Sequence, residues 1–340
     1  MALTGKLMAA FALLAGILSY FSCRTTLRIA TDLNMIVQPG ERQSHTVATP
    51  TGGGLGLIFS LLVTSIAMQF SQPLPIFWWL NMLPGVVALA AAGWFDDRHH
   101  ISSLLRLLIQ LAVSIWLLSS ICFQNTSINI SLCVGMLIAM IWWMNLYNFM
   151  DGSNGMAGFQ GVFAGLVMAA LFWQGDQLAM AALALVVAAV CVGFLPLNFP
   201  RASIFMGDVA SVPLGFIFAS LAVYGLHTGV MSLSLSLLIM SVFIVDATLT
   251  LLARVIAGER WYTAHNQHIY QRLIAKGWSH RRVLAVYQVL NVILVLPAIV
   301  LASMYTQYAI VIAGLTISIL GACWYITNWK IGIRATRRLE

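Results

Sequence analysis

The sequence predicts an all-α polytopic membrane protein with about eleven transmembrane helices. Three observations predict it. Of 340 residues, 61% are hydrophobic and 8% charged, against about 25% charged in an ordinary soluble domain. Mean hydropathy is +0.91. The apolar residues also fall in long runs rather than the short alternating segments of an outer-membrane barrel. So few charges cannot clothe a 37.1 kDa globule in water, which excludes a soluble enzyme, a disordered chain and a nucleic-acid binder. The excess of 17 Lys+Arg over 10 Asp+Glu therefore reads as basic loops at an anionic leaflet.

In chain order, runs long enough to cross about 30 Å of hydrocarbon occupy 3–22, 53–70, 77–95, 102–123, 128–147, 157–174, 178–197, 209–226, 231–253, 284–304 and 307–328. Within the first, the apolar stretch from Leu7 to Phe21 follows Lys6 and lacks an A-x-A cleavage pattern, so it reads as a retained helix rather than a signal peptide. The longest connections, 23–52 and 254–283, are too short for a soluble domain, and 1–340 reads as one integral-membrane domain. The five cysteines (Cys23, Cys122, Cys133, Cys191, Cys323) form no CxxC pair. They are expected to be packing residues, with no disulfide or metal framework.

Basic residues alternate along the chain. Arg24, Arg28 and Arg42 follow the first span, Arg98 the third and Arg201 the seventh. Arg254, Arg260, Arg272, Lys276, Arg281 and Arg282 follow the ninth, and Lys330, Arg334, Arg337 and Arg338 the eleventh. The intervening loops 71–76, 124–127, 175–177, 227–230 and 305–306 contain no Lys or Arg. The positive-inside rule then places the N-terminus in the periplasm and the C-terminus in the cytoplasm, with Lys6 the one dissenter.

That topology sends Asp96 and Asp97, Asp151 and Asp208 to one cytoplasmic rim, and Asp246 near the same end of the ninth span. Acids gathered at one depth are costly unless something cationic binds them. Solvated loop acids are the plainer alternative; a site for a hard divalent cation, which prefers oxygen ligands, is the sharper one. Asn145, Asn148, Asp151 and Asn154 recur every third residue, a polar stripe that leaves the bilayer at Asp151-Gly152. Helix–helix glue is the alternative for such a stripe. Asp208 follows Gly207 at the start of the eighth span, either as a helix cap or facing a metal. Gly52, Gly53, Gly54 and Gly56 open the second span, where backbone amides can approach an anion or helices can pack closely. His265 and His268 lie between Arg260 and Arg272. With no third ligand beside them, phosphate binding fits better than zinc; an interfacial basic loop touching lipid headgroups is the plainer alternative.

Thr49-Pro-Thr-Gly-Gly-Gly, Trp94-Phe-Asp-Asp97, Asn145-x-x-Asn148-x-x-Asp151-Gly, Phe205-Met-Gly-Asp208 and His265-x-x-His268 occur in that order over nearly the whole chain. In these five motifs the sequence resembles the polyprenyl-phosphate N-acetylhexosamine-1-phosphate transferases, the MraY/WecA superfamily. The resemblance implies transfer of a sugar 1-phosphate from a UDP-N-acetylhexosamine to undecaprenyl phosphate, releasing UMP at a bacterial inner membrane. It implies Mg²⁺, with Mn²⁺ as a substitute. It implies catalytic roles for Asp96, Asp97 and Asp151, and metal ligation by Asp208 and Asp151. Substrate contacts are expected from Asn148, Asn154, His45, Gly53, Asn198, His265, His268 and Arg272. The partners implied are the two substrates and membrane lipid, with no nucleic acid; a homodimer is compatible.

Two departures matter. Asn154 stands where relatives often carry a second acid, and the histidine motif continues Ile269-Tyr270-Gln271 rather than with further histidines. With Glu41-Arg-Gln-Ser-His45, this looks more like the WbpL-type, O-antigen-initiating branch than like MraY, leaving N-acetylglucosamine, N-acetylfucosamine or N-acetylquinovosamine as the sugar. A phospho-N-acetylmuramoyl-pentapeptide transferase is the alternative within the superfamily. A lipid-linked-sugar transporter or binding protein is the alternative outside it.

Overall fold

The computed structural model describes residues 2–32, 36–37, 49–71, 73–99, 101–122, 129–260 and 265–336. Helices occupy all eleven expected runs. They are α1 (Ala2–Asp32), α2 (Gly54–Met68), α3 (Leu83–His99), α4 (Ser103–Cys122), α5 (Ile130–Phe149), α6 (Met156–Gln174), α7 (Leu178–Asn198), α8 (Asp208–His227), α9 (Leu233–Ile239), α10 (Ser241–Ile256), α11 (Ile269–Ala275), α12 (His280–Val289), α13 (Leu296–Met304) and α14 (Ala309–Thr336). Strands β1 (Ile36–Val37) and β2 (Thr49–Pro50) form one antiparallel pair. Wider π turns, Trp78–Met82 and Leu290–Val295, lead into α3 and α13 just before Pro84 and Pro297. Proline lacks the amide hydrogen that an ordinary α turn would use there.

Among the described residues, nine helices are long and apolar enough to cross a bilayer. The chain is a multi-pass membrane protein. Two expected spans differ from the rest. The second is the 15-residue α2, entered through Gly53 and Gly54, whose amides donate to the backbone of Phe205 and Met206. The ninth breaks into α9 and α10, bent by 78°. Hydropathy has no sense of direction, so an apolar run conceals the bend. At the break, Gln160 Nε2 of α6 donates to Ile239 O (3.0 Å), and Asn291 Nδ2 donates to Gln160 Oε1 (2.8 Å). Such partners are what a broken helix requires in a bilayer.

The centre of the bundle is α8, where 89% of the most apolar stretch is buried, against 22% in α1 and in the last helix. Those outer helices expose Leu13, Ile17 and Phe21 and Ile310, Val311 and Leu315, a surface suited to lipid rather than water.

The cysteine expectation fails at one pair. Cys122, ending α4, and Cys133, starting α5, form a disulfide with Cα atoms 6.4 Å apart. The antiparallel hairpin brings them together, which their spacing in sequence does not reveal. The bond lies at the end of α4 away from Arg106 and the acids.

Candidate active site

The acids converge because four helix ends meet. The C-terminal turn of α3 carries Asp96 and Asp97, the first turn of α4 carries Arg106, the end of α5 carries Asn148 and Asp151, and α8 begins at Asp208. Gly93 makes the approach of α3 to α8 feasible, since a Cβ there would overlap the backbone of Asp208. Gly207 stands at the N-cap of α8 with φ 74°, a conformation that glycine adopts without strain. It has no side chain with which to cap the helix. Asp97 does that from α3: its Oδ1 accepts the Asp208 N–H at 3.1 Å. Its Oδ2 is buried with no hydrogen-bond partner, the kind of oxygen that a ligand or ion completes.

Asp208 Oδ1 accepts from Asn148 Nδ2 at 2.6 Å, and the same amide reaches Ser211 Oγ at 2.9 Å. A carboxylate on the first residue of α8 also faces the positive end of the helix dipole. Arg106, which the motif reading missed, pairs with Asp96 Oδ2 at 2.7 Å and lies 3.6 Å from Asp208 Oδ2. Its partner ten residues upstream sits across a helix turn-around, so no helical period reveals it. Asp151 lies just past α5. Burial, then the neighbouring Asp208 and Asp97, push its carboxyl well above the usual carboxylate range. Lost hydration is the larger cause, and the adjacent carboxylates add to it. The cleft between α3, α4 and α8 is lined by Asp96, Arg106, Asp208 and Gln110, with Leu89, Ala92, Ile109 and Val212 as its apolar wall. Among the described residues, no three acids, histidines or cysteines converge into a ready-made metal cage.

Other expected residues have different work. Asn145 is the glue of its stripe, donating to Gln110 Oε1 and Ile141 O (both 2.7 Å). Asn154 turns away from the acids, and its amide donates to Pro200 O (3.2 Å). Asn198 is corrected from a substrate contact to a buried tie: Oδ1 accepts from Gly155 N–H (2.6 Å) and Nδ2 donates to Ile204 O (2.9 Å). Gly53 is corrected likewise. Its amide donates to Phe205 O (2.9 Å) and that of Gly54 to Met206 O (3.0 Å), so neither is available to an anion. The glycines serve close packing, because a Cβ on Gly54 would overlap Ala210. His45 lies outside the described residues.

The histidine segment packs beside this cluster. The His268 ring lies between Phe149, which ends α5, and Tyr270, each with centroids 6.0 Å away. Tyr270 Oη donates to Phe149 O (2.9 Å). Burial lowers the His268 pKa, and burial plus the adjacent His268 and Arg254 bring His265 down to about 4. Both shifts favour the neutral ring over the cation that the expected phosphate grip would use. Arg272 hydrogen-bonds Asn328 of α14. It lines a separate cavity of about 150 Å³ with Arg254, Gln267 and Trp324, away from the acids.

Residues 79–226 match the family described as Glycosyl transferase family 4, a segment that holds every acid of the cluster. A decaprenyl-phosphate N-acetylglucosaminephosphotransferase from Mycolicibacterium smegmatis is 30% identical, covering 82% of this chain and 79% of its own. A probable undecaprenyl-phosphate N-acetylglucosaminyl 1-phosphate transferase from Bacillus subtilis is 28% identical, covering 81% and 80%. A phospho-N-acetylmuramoyl-pentapeptide-transferase from Staphylococcus aureus is 27% identical, covering 74% and 85%.

Proposed function

The chain belongs to glycosyl transferase family 4, and from that premise we propose that it transfers an N-acetylhexosamine 1-phosphate from its UDP-sugar to undecaprenyl phosphate. An oxygen of the acceptor phosphate forms a bond to the sugar-linked phosphorus. The bond from that phosphorus to UMP breaks, and UMP leaves. The observation that carries this reading is the meeting of Asp96, Asp97, Asp151, Asp208 and Arg106 at the ends of four helices. The relatives named for N-acetylglucosamine make that sugar the first donor to test. The N-acetylfucosamine and N-acetylquinovosamine donors of O-antigen initiation follow, and the muramoyl-pentapeptide relative supplies a further one.

A phosphate monoester has its second pKa near 6, so the acceptor arrives at pH 7 mostly deprotonated. The demand on the protein is positioning and charge neutralisation. Arg106, half-exposed beside Asp96 and near Asp208, is placed to meet phosphoryl oxygens with its planar fork. The apolar wall of Leu89, Ala92, Ile109 and Val212 next to these charges suits a phosphate carried on an apolar chain. Asp97 spends one oxygen on α8 and keeps the other for the ligand, while Asp96 is committed to Arg106; the two neighbours are therefore assigned different work.

Mg²⁺, or Mn²⁺ in its place, is the cofactor of this reading. The donor chemistry fits: Asp208 and Asp151 offer only oxygens, and the orphaned Asp97 Oδ2 adds another. The absence of a closed cage among the described residues is compatible with an ion that keeps water and substrate phosphates among its ligands. When bound, the ion supplies neutralisation of the diphosphate.

The site is assigned to the cytoplasmic side of a bacterial inner membrane. The basic loops of the sequence follow the same spans as the acids, and the disulfide ends α4 far from Arg106; both support this side, since disulfides persist in oxidising compartments.

The test is UMP release from membranes supplied with undecaprenyl phosphate, Mg²⁺ and each UDP-N-acetylhexosamine in turn. Metal-dependent release is expected, reduced about 10³-fold in Asp208→Ala. Folded protein that releases no UMP from any donor overturns the reading. Exchange of labelled UMP into donor without acceptor would replace direct displacement with a covalent intermediate.

A further inference from the structure

Among the described residues, the carboxylate that accepts the most hydrogen bonds is one that the proposed chemistry does not use. Asp246 sits in α10, 3% exposed. Its Oδ1 accepts from the Ile269 N–H at 3.0 Å, Thr250 Oγ1 at 3.2 Å and Trp324 Nε1 at 3.2 Å. Its Oδ2 accepts from Tyr287 Oη at 2.6 Å. The donors come from α10 itself, α11, α14 and α12, so one side chain ties four helices. Burying a carboxylate is expensive, and accepting several hydrogen bonds is what offsets that cost. A purely structural need could be met more cheaply by apolar packing.

What the tie secures is specific. Ile269 is the first residue of α11, and the residue before it is His268. The His268 backbone N–H is held by Gln271 Oε1 at 3.1 Å, while its ring rests on Phe149 and Tyr270. Tyr270 Oη donates to Phe149 O, two residues before Asp151. A Cβ on Gly152 would overlap that hydroxyl, so the contact leaves no slack. A chain of contacts thus runs from Asp246 through Ile269, His268 and Tyr270 to the loop that presents Asp151.

We propose that Asp246 is a positioning residue that clamps the His265–His268 segment against the Asp151 loop and thereby sets the affinity for the nucleotide-sugar donor. This rests on the transferase reading above, and on the sequence expectation that His265 and His268 contact substrate, taken here as the donor. The acceptor side, at Asp96, Arg106 and the apolar wall, lies on other helices and is untouched by the clamp.

The experiment compares wild type, Asp246→Ala, Asp246→Asn, His268→Ala and the double variant Asp246→Ala/His268→Ala in detergent-solubilised full-length protein. For Asp246→Ala, KM for the UDP-sugar is expected to rise about tenfold, the effect of losing a charge-assisted hydrogen-bonded anchor. KM for undecaprenyl phosphate should stay within about twofold of wild type, because separate sites act independently. Asp246→Asn, which retains an acceptor for Ile269, should recover most of the loss and serves if the alanine variant does not fold. The double variant should be no worse than the worse single variant, because both changes break one path. Hydrogen exchange is the second readout: amides 269–272 should exchange faster in Asp246→Ala while those of α8 do not change. Equal rises in both KM values, additive effects in the double variant, or unchanged exchange at 269–272 would each overturn the clamp. Wild type that turns over no donor would instead overturn the transferase reading, while the exchange result would still decide whether the clamp exists.

Discussion

Two carboxylates with buried oxygens, one in α10 and one in α3, are finished differently. Asp246 has donors on both oxygens, from four helices. Asp97 has one oxygen on the α8 N-terminus and one with no partner. The first is complete without a ligand; the second is not. In an apolar bundle, an unfinished polar atom costs about 1–3 kcal/mol, so it marks where binding gives something back. The saturated group marks where the fold is being held. The same division separates Asn148, turned to Asp208, from Asn198, closed between Gly155 and Ile204.

The sharpest way to break that comparison is Gly207→Ala. The new Cβ would overlap Asp97 Oδ2, at a position whose φ of 74° already disfavours a side chain. Turnover is expected to fall about 100-fold as the unpartnered oxygen is displaced, with the protein still folded by gel filtration and melting. Wild-type turnover would mean that this oxygen does not face the reaction.

Asn198→Ala tests the closed class. Two buried backbone groups lose their partners, so stability should fall by about 2–6 kcal/mol, twice the cost of one unsatisfied group. The measurement is a thermal melt in detergent, with KM for both substrates expected to stay near wild type in the surviving enzyme. A selective rise in KM without loss of stability would return Asn198 to the substrate contacts.

The smallest effect concerns pH. His265 has its pKa lowered to about 4 from the ordinary 6.5, so the unfolded chain takes up its proton first as pH falls. Its contribution to stability is present above about 6.5 and is lost progressively toward pH 4. Melting temperature should decline across that window, and His265→Gln should flatten part of the decline. An unchanged slope in the variant would assign the dependence to other groups.

Much of this was legible in the linear chain. Apolar runs and alternating basic loops locate the helices, because a bilayer admits few other solutions for a backbone. The acids Asp96, Asp97, Asp151 and Asp208 stand out because charge is scarce in 340 residues that are 8% charged. Their common end follows from counting spans. What each polar group touches does not follow, because that depends on which helices lie side by side. Arg106 joins Asp96 only after α4 folds back on α3, and Cys122 meets Cys133 only across a hairpin. The amides of Gly53 and Gly54 look open to an anion until residues 205–206 pair with them. The histidines look cationic until burial removes their water. Composition and periodicity report each residue's preference for oil or water, and so determined the bundle and the ring of acids. Partner, burial and charge state are properties of pairs brought together from distant positions, and tertiary packing alone decided them.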